Sequence, residues 1–415
     1  MASTKPVSIW TVRMIFLQGV ALLAIALIPL PAGWTRLRAA VDSARSPELN
    51  RAEREAHAAG YYEGLIGGGD SSEGARGELN LLLMGKPSGW VRFSDANVSR
   101  SLPGDFLQFE LLPDVRRVLF GQPFVTNSHG MHGPDVAAEK PPGTFRIALL
   151  GASMDMGWGV TYQETYAHRL ERWLNNHGTR RGDATGRRFE VLNFAVAAYS
   201  PLQRLDTLRR KALAFRPDLV IFSATMLDLR LMEIHLCDAL RTRSDLTYDF
   251  VRDVLSEAGV TADEMAVEGD KLVYKDAIKE KIQPRYWDLY DRTLGRLAAE
   301  CRAAGVPALM VIVPRVGKAD APAARAEPVA RLKALAAHNA MPVYDLTGSF
   351  DRFDPASLEI AAWDDHPNAL GHRRLFLALA RSLADDPERY RLLFPGADAP
   401  PAPQGPAATD DFIDK

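Results

Sequence analysis

The 415-residue chain predicts an α/β protein: a three-layer α/β/α domain on a mostly parallel five-stranded sheet, preceded by one transmembrane helix. Three observations carry that reading. From residue 145 onward, short apolar runs alternate with longer stretches of helical period, as happens when helices cover both faces of a parallel sheet. The runs are apolar almost throughout, as in Asp218-Leu-Val-Ile-Phe-Ser-Ala, which is how strands buried on both faces read. Residues 14–33 contain no charge, and about 20 apolar residues suffice to cross a bilayer.

The N-terminal run has Lys5 and Arg13 before it, Arg36 and Arg38 after it, and Trp10 and Trp34 near its ends. Tryptophans at both edges suit the two membrane interfaces. Gln18, Pro29 and Pro31 favour the competing reading of a buried soluble helix, and no clean small-x-small site supports a cleaved signal peptide. The expectation is a single-pass anchor over residues 1–34 in a bacterial inner membrane, with the remaining chain on its outer, periplasmic face. Residues 35–123 read as a linker and irregular collar; Gly67-Gly68-Gly69 is a loop, not a phosphate cradle, since no GK[ST] follows. His129 and His132 have no carboxylate or helix to orient them toward a metal, and read as a loop near a site mouth.

The main domain spans 124–394. Its expected strands are the run ending Ile147-Ala-Leu-Leu-Gly151, then Glu190 to Val196, Asp218 to Ala224, Pro307 to Pro314 and Met341 to Leu346. Helices are expected over 164–176, where Tyr166, Leu170, Trp173 and Leu174 form a stripe, and over 202–215, 286–304, 322–339 and 369–384. Residues 229–285 are charged, mostly helical, and too long for a simple crossover, so they read as an insertion. The Pro/Ala/Asp-rich tail, 395–415, lacks the apolar content to order itself. Apolar content of 47% is ample for a full core, and a net charge of −2 argues against nucleic-acid partners. Cys237 and Cys301, with no CxxC or His/Cys spacing, read as two buried thiols, with a single disulfide as the alternative outside the cytosol. No cofactor or metal is implied, and oligomeric state is not legible.

Ser153 follows the first strand inside a turn bracketed by Gly157 and Gly159, and open α/β folds place chemistry at that end of the sheet. A serine hydroxyl needs a base to take its proton. His366, in Trp363-Asp364-Asp365-His366-Pro367-Asn368, has an acidic residue upstream to hold Nδ1–H, leaving Nε2 to face the serine. The bland alternatives are a small residue at a glycine-rich turn, a helix-capping loop histidine, and, for His372, a surface position on the last helix. The arginines at 180–181 and 187–188 read as a solvated loop able to attract an anionic glycan.

Four blocks in order give the chain a family resemblance: Gly151-Ala152-Ser153-Met154-Asp155-Met156-Gly157; Asn193 to Tyr199 with Ser200 and Gln203 behind; Pro217-Asp218 leading to Leu227-Asp228; and Asp364-Asp365-His366-Pro367-Asn368. Over about residues 124–385 the chain resembles the SGNH (GDSL-type) hydrolases, whose domain is flavodoxin-like. The resemblance implies Ser153 as nucleophile, His366 as general base and Asp364, alternatively Asp365, as its orienting acid, the family's usual position being Trp363. It implies an oxyanion hole drawn from the Ser153 N–H, the backbone at Ala198 where the family has Gly, and a side chain at Leu227 where it has Asn. Leu227 donates nothing there. Thr225 is the substitute donor, with Asn193 and Asp155 behind it. The implied activity is a serine esterase on O-acyl, chiefly O-acetyl, groups of a cell-envelope polysaccharide. O-acetyl transfer to such a glycan and an inactive glycan-binding scaffold are the alternatives, and a phospholipid lipase a further one. The implied partners are an acylated glycan or other ester and the inner membrane.

Overall fold

In a computed structural model of the chain, the described residues are Phe93, 96–180, 186–261, 264, 278–317, 321–361 and 364–396. The anchor expected over 1–34, most of the linker and the tail beyond residue 396 lie outside them. Among the described residues no helix is long and apolar enough to cross a membrane.

Five parallel strands form the central sheet: β5 (Thr144–Leu150), β6 (Arg188–Asn193), β7 (Leu219–Thr225), β8 (Ala308–Val313) and β9 (Val343–Asp345), in the order β6-β5-β7-β8-β9. The near-continuous apolarity of these strands has a direct cause. Side chains alternate across a strand, and both faces here meet a core. Ile147 and Leu149 of β5, Leu219 and Ile221 of β7 and Leu309, Val311 and Val313 of β8 enter one core, which α2 (Tyr166–Arg180), α8 (Ala369–Asp385) and α9 (Pro387–Leu393) complete. The intervening Ala148, Leu150, Val220, Phe222, Met310 and Ile312 enter the other, under α3 (Pro201–Arg210), α4 (Asp228–Arg241), α5 (Asp249–Glu257), α6 (Tyr286–Ala303) and α7 (Pro322–His338). Each fully buried leucine or isoleucine contributes about 1.5–3 kcal/mol, so the two faces together dominate the stability of the fold.

The expected helix over 202–215 is instead α3 followed by a separate 3₁₀ turn, Ala212–Phe215. Ser200 starts α3 by accepting from the Gln203 N–H while the Gln203 side chain returns a bond to the Ser200 N–H, a reciprocal cap. The insertion begins as α4, continues through α5, and rejoins the domain at α6. The buried pair Arg204–Asp228, 2.7 Å, with the Tyr290 hydroxyl on Asp228 at 2.6 Å, ties α3, α4 and α6 together beneath the end of β7. Removing one partner of such a pair leaves a buried charge and is strongly destabilising.

The collar contains two hairpins, β1 (Ser99–Ser101) with β2 (Phe109–Leu111) and β3 (Arg116–Leu119) with β4 (Gln122–Val125). Among the described residues it shares its core with the main domain. Phe93, Val98, Leu107, Leu111 and Phe124 share one cluster with Met156, Trp158, Val196 and Tyr199 of the main domain. Cys237 and Cys301 are both buried and not joined in a disulfide, and burial pushes the Cys301 thiol up to about 12.

Candidate active site

The sheet order changes direction between β5 and β7, and ligands of open α/β sheets bind at such a switch point, outside the carboxyl ends of the strands. Ser153 follows β5 and Thr225 ends β7, so the two flank that crevice.

Ser153 opens the expected turn, which is a single helical one, α1 (Ser153–Met156), closed by Gly157 in the left-handed conformation. The turn is held from three sides. Asp155 accepts the Ala152 N–H at 2.8 Å and the Tyr166 hydroxyl at 2.5 Å, and Asn193 donates to the Asp155 carbonyl at 2.8 Å. A Cβ on Gly151 would stand 2.1 Å from the Asp155 carboxylate, so only glycine permits this closure. Burial raises the pKa of Asp155, against the hydrogen bonds and the Arg204 charge that favour its anion. Asp155 and Asn193, expected as reserve oxyanion donors, are corrected to scaffold. Asp155 accepts, and the Asn193 amide already serves the turn.

His366 lies on β11 (Asp364–Pro367), paired antiparallel with β10 (Glu359–Ala361), and not in the loop expected before the last helix. That pairing decides which acid serves it. Residues two apart on a strand share a face. Asp364 accordingly meets His366 Nδ1 at 2.5 Å, whereas Asp365 is 3.2 Å from Arg315. The alternative acid, Asp365, is therefore committed elsewhere. Burial pulls the His366 pKa down, but the Asp364 charge and hydrogen bond, with Asp365 behind them, more than offset it, leaving it above the ordinary value. The proton held at Nδ1 leaves the Nε2 lone pair for chemistry. The hairpin packs against the Ser153 turn, Ile360 seating on Gly159, where a Cβ would come within 2.6 Å. No hydrogen bond joins the Ser153 hydroxyl to the imidazole among the described residues, and such bonds are often loose before substrate arrives.

The oxyanion corner is built differently. Ala198 has φ +65°, the left-handed conformation that suits glycine. No backbone acceptor is recorded for the N–H of Ser153 or of Ala198 among the described residues, so both can serve a developing oxyanion. The Thr225 hydroxyl accepts the Leu227 N–H at 2.9 Å, which leaves its own proton to donate. Leu227 is half-buried against Ala152, Ala198 and Leu231.

Two histidines behave differently from expectation. His372 is fully buried instead of on the surface: its Nδ1 accepts the Tyr166 N–H at 3.3 Å, and burial lowers its pKa to about 3. His132 is likewise buried, not at a site mouth; it meets the Met156 carbonyl at 2.7 Å behind α1, and burial lowers its pKa to about 4. His129 bonds the Val136 carbonyl. A second Ser–His pair, invisible in the sequence, joins the Ser200 hydroxyl to His235 Nδ1 at 2.9 Å, with His235 Nε2–H on the Phe106 carbonyl. Asp364, Asp365 and His366 have donor atoms within 4.8 Å of one another. Their hydrogen bond and ion pair suit an acid–base pair better than a cation site.

No family model and no curated protein matches the chain. Among solved structures, it is similar to TesA, at 13% identity over 57% of this chain and 97% of that one, with a TM-score of 0.36. A catalytic variant of Axe2, an acetylxylan esterase from Geobacillus stearothermophilus, matches at 17% identity over 57% and 93%, with a TM-score of 0.36. A two-domain esterase active on acetylated mannans matches at 13% identity over 65% and 54%, with a TM-score of 0.34. Identities and scores of this size lend no weight to any reaction, and the functional reading rests on the side chains.

Proposed function

We propose that the chain is a serine esterase that removes O-acyl, chiefly O-acetyl, groups from a cell-envelope polysaccharide. The observation that carries this reading is the Asp364–His366 pair, bonded at 2.5 Å on a strand packed against the Ser153 turn, at the sheet's switch point. The four sequence blocks that resemble the SGNH hydrolases add to it. His366 Nε2 takes the proton as Ser153 Oγ attacks the ester carbonyl. The N–H groups of Ser153 and Ala198 and the Thr225 hydroxyl receive the oxyanion. As the tetrahedral adduct collapses, His366 returns the proton to the departing sugar oxygen. Water then repeats the sequence on the acyl-enzyme, and a sugar hydroxyl in its place would make the protein a transferase. The uncharged stretch over 14–33 supports an inner-membrane anchor with the domain on the periplasmic side.

Leu227, where the resembled family carries an amide donor, favours a second reading, a scaffold that retains the fold without turnover. A fluorophosphonate probe separates the two. Labelling that is lost in Ser153→Ala supports the esterase. No labelling of the folded protein, together with no release of acetate from acetylated glycans, would leave the scaffold. Acetylated oligosaccharide appearing when an acetyl donor and a glycan are supplied together would move the assignment to transferase.

A further inference from the structure

We infer that Leu227 and Phe109 form an apolar acyl-side wall that restricts the site to short, uncharged acyl groups; this rests on the esterase reading. Leu227 occupies the N-cap of α4, yet makes no side-chain cap bond. Its backbone is already helical there, φ −85° and ψ −9°, and not the extended conformation from which a side chain caps. The helix therefore gives no reason for Leu227. Its surroundings do. Ala152, adjacent to the nucleophile, and Ala198, at the oxyanion corner, join Leu231 in a floor that is at most 2% exposed. Leu227 and Phe109 are the half-buried members packed against that floor, keeping some exposed surface where the floor residues keep almost none.

The wall is assembled from three distant pieces of chain. Phe109 comes from β2 of the collar, Ala198 from the loop after β6, and Leu227 and Leu231 from the start of α4. Phe109 is fixed there by its ring contact with Tyr199, at 5.3 Å, and by the Tyr199 hydroxyl on its carbonyl, at 2.7 Å. A filled floor gives the acyl group little depth, so a long chain finds no tunnel among these residues. An acyl group bearing a carboxylate would lose hydration against the Leu227 and Phe109 hydrocarbon, which offers it no hydrogen bond or charge.

The test compares hydrolysis of 4-nitrophenyl acetate, butyrate, octanoate and monosuccinate by the full chain and by Leu227→Asn, Leu227→Ala and Phe109→Leu, with thermal melting alongside. Expected for the unaltered protein is acetate or butyrate hydrolysis at least about tenfold faster than monosuccinate, the usual worth of one mismatched group in an apolar pocket. Leu227→Ala should raise the octanoate-to-acetate ratio. Leu227→Asn should narrow the butyrate-to-monosuccinate ratio severalfold. A donor gained at the oxyanion would instead speed every ester equally and leave the ratios alone. Ester ratios unchanged in all three variants, with Ser153-dependent hydrolysis intact, would overturn the wall and leave the esterase standing. Absence of any Ser153-dependent hydrolysis in the folded protein would overturn both.

Discussion

Two serine–histidine pairs stand out among the described residues, and the directly bonded one is not the pair proposed to react. Ser200 meets His235 Nδ1 at 2.9 Å, yet both residues are buried and both ring nitrogens are bonded, one to the hydroxyl and one to the Phe106 carbonyl. Desolvation holds His235 near pKa 4, so it stays neutral. Its Nδ1 lone pair accepts the Ser200 proton, and the same hydroxyl caps α3. Ser153 and His366 lack such a bond, but His366 has a carboxylate at Nδ1 and a raised pKa. A charge that can stabilise the imidazolium, and a serine standing at the strand ends, set the proposed pair apart from Ser200 and His235.

Four substitutions can break or sharpen this contrast. Ser153→Ala has the largest expected effect, a loss approaching ~10⁶-fold in kcat if the residues act as a unit, read as ester hydrolysis with the fold checked by circular dichroism. Asp364→Asn should cost roughly 10⁴-fold by disfavouring the useful tautomer. It should also move the pH profile. A base with a raised pKa is neutral only at higher pH, so kcat/KM of the unaltered protein should rise along a limb centred above 6.5. Without the Asp364 charge, burial remains and the limb should fall below that value. The same pairing stabilises the fold while His366 is protonated. That contribution is complete below the unfolded histidine value and is lost as pH rises through the raised folded one. Urea unfolding of the unaltered protein and Asp364→Asn on both sides of that window measures it.

Ser200→Ala should leave hydrolysis unchanged and destabilise by about 1–3 kcal/mol, from the lost cap and the unpaired His235 nitrogen. A comparable loss of turnover would mean that the second pair is also functional. Ala198→Gly is the smallest, a gain of about 1 kcal/mol, because relief of the left-handed strain exceeds the added chain entropy of glycine. Thermal melting reads it.

The sheet was legible because its central strands are buried on both faces and therefore apolar almost throughout. Ser153 and His366 were legible through the blocks around them. What the sequence hid was set by tertiary contact. The β10–β11 hairpin carries Asp364-Asp365-His366-Pro367, with no apolar alternation to announce a strand, and the choice between the two acids depends on that strand. His372 looks like a surface residue until α2 places the Tyr166 N–H against its ring. The helix α9 had a readable start in Asp386-Pro387-Glu388, a capping acid followed by proline. No local signal marks the Ser200–His235 pair, whose members lie on different helices.

Placing Asp364 and His366 two residues apart on one short hairpin makes acid and base a portable unit. Many serine hydrolases draw these groups from separated parts of the chain, where an insertion between them can pull them apart. Here an insertion or deletion elsewhere carries both along and leaves their bond intact. A lineage could thus remodel the collar, or lengthen the helical insertion, without disturbing the tuning of its base. The distance exposed to change is the one from that unit to the serine, and Gly159 beneath Ile360 is where it would be adjusted.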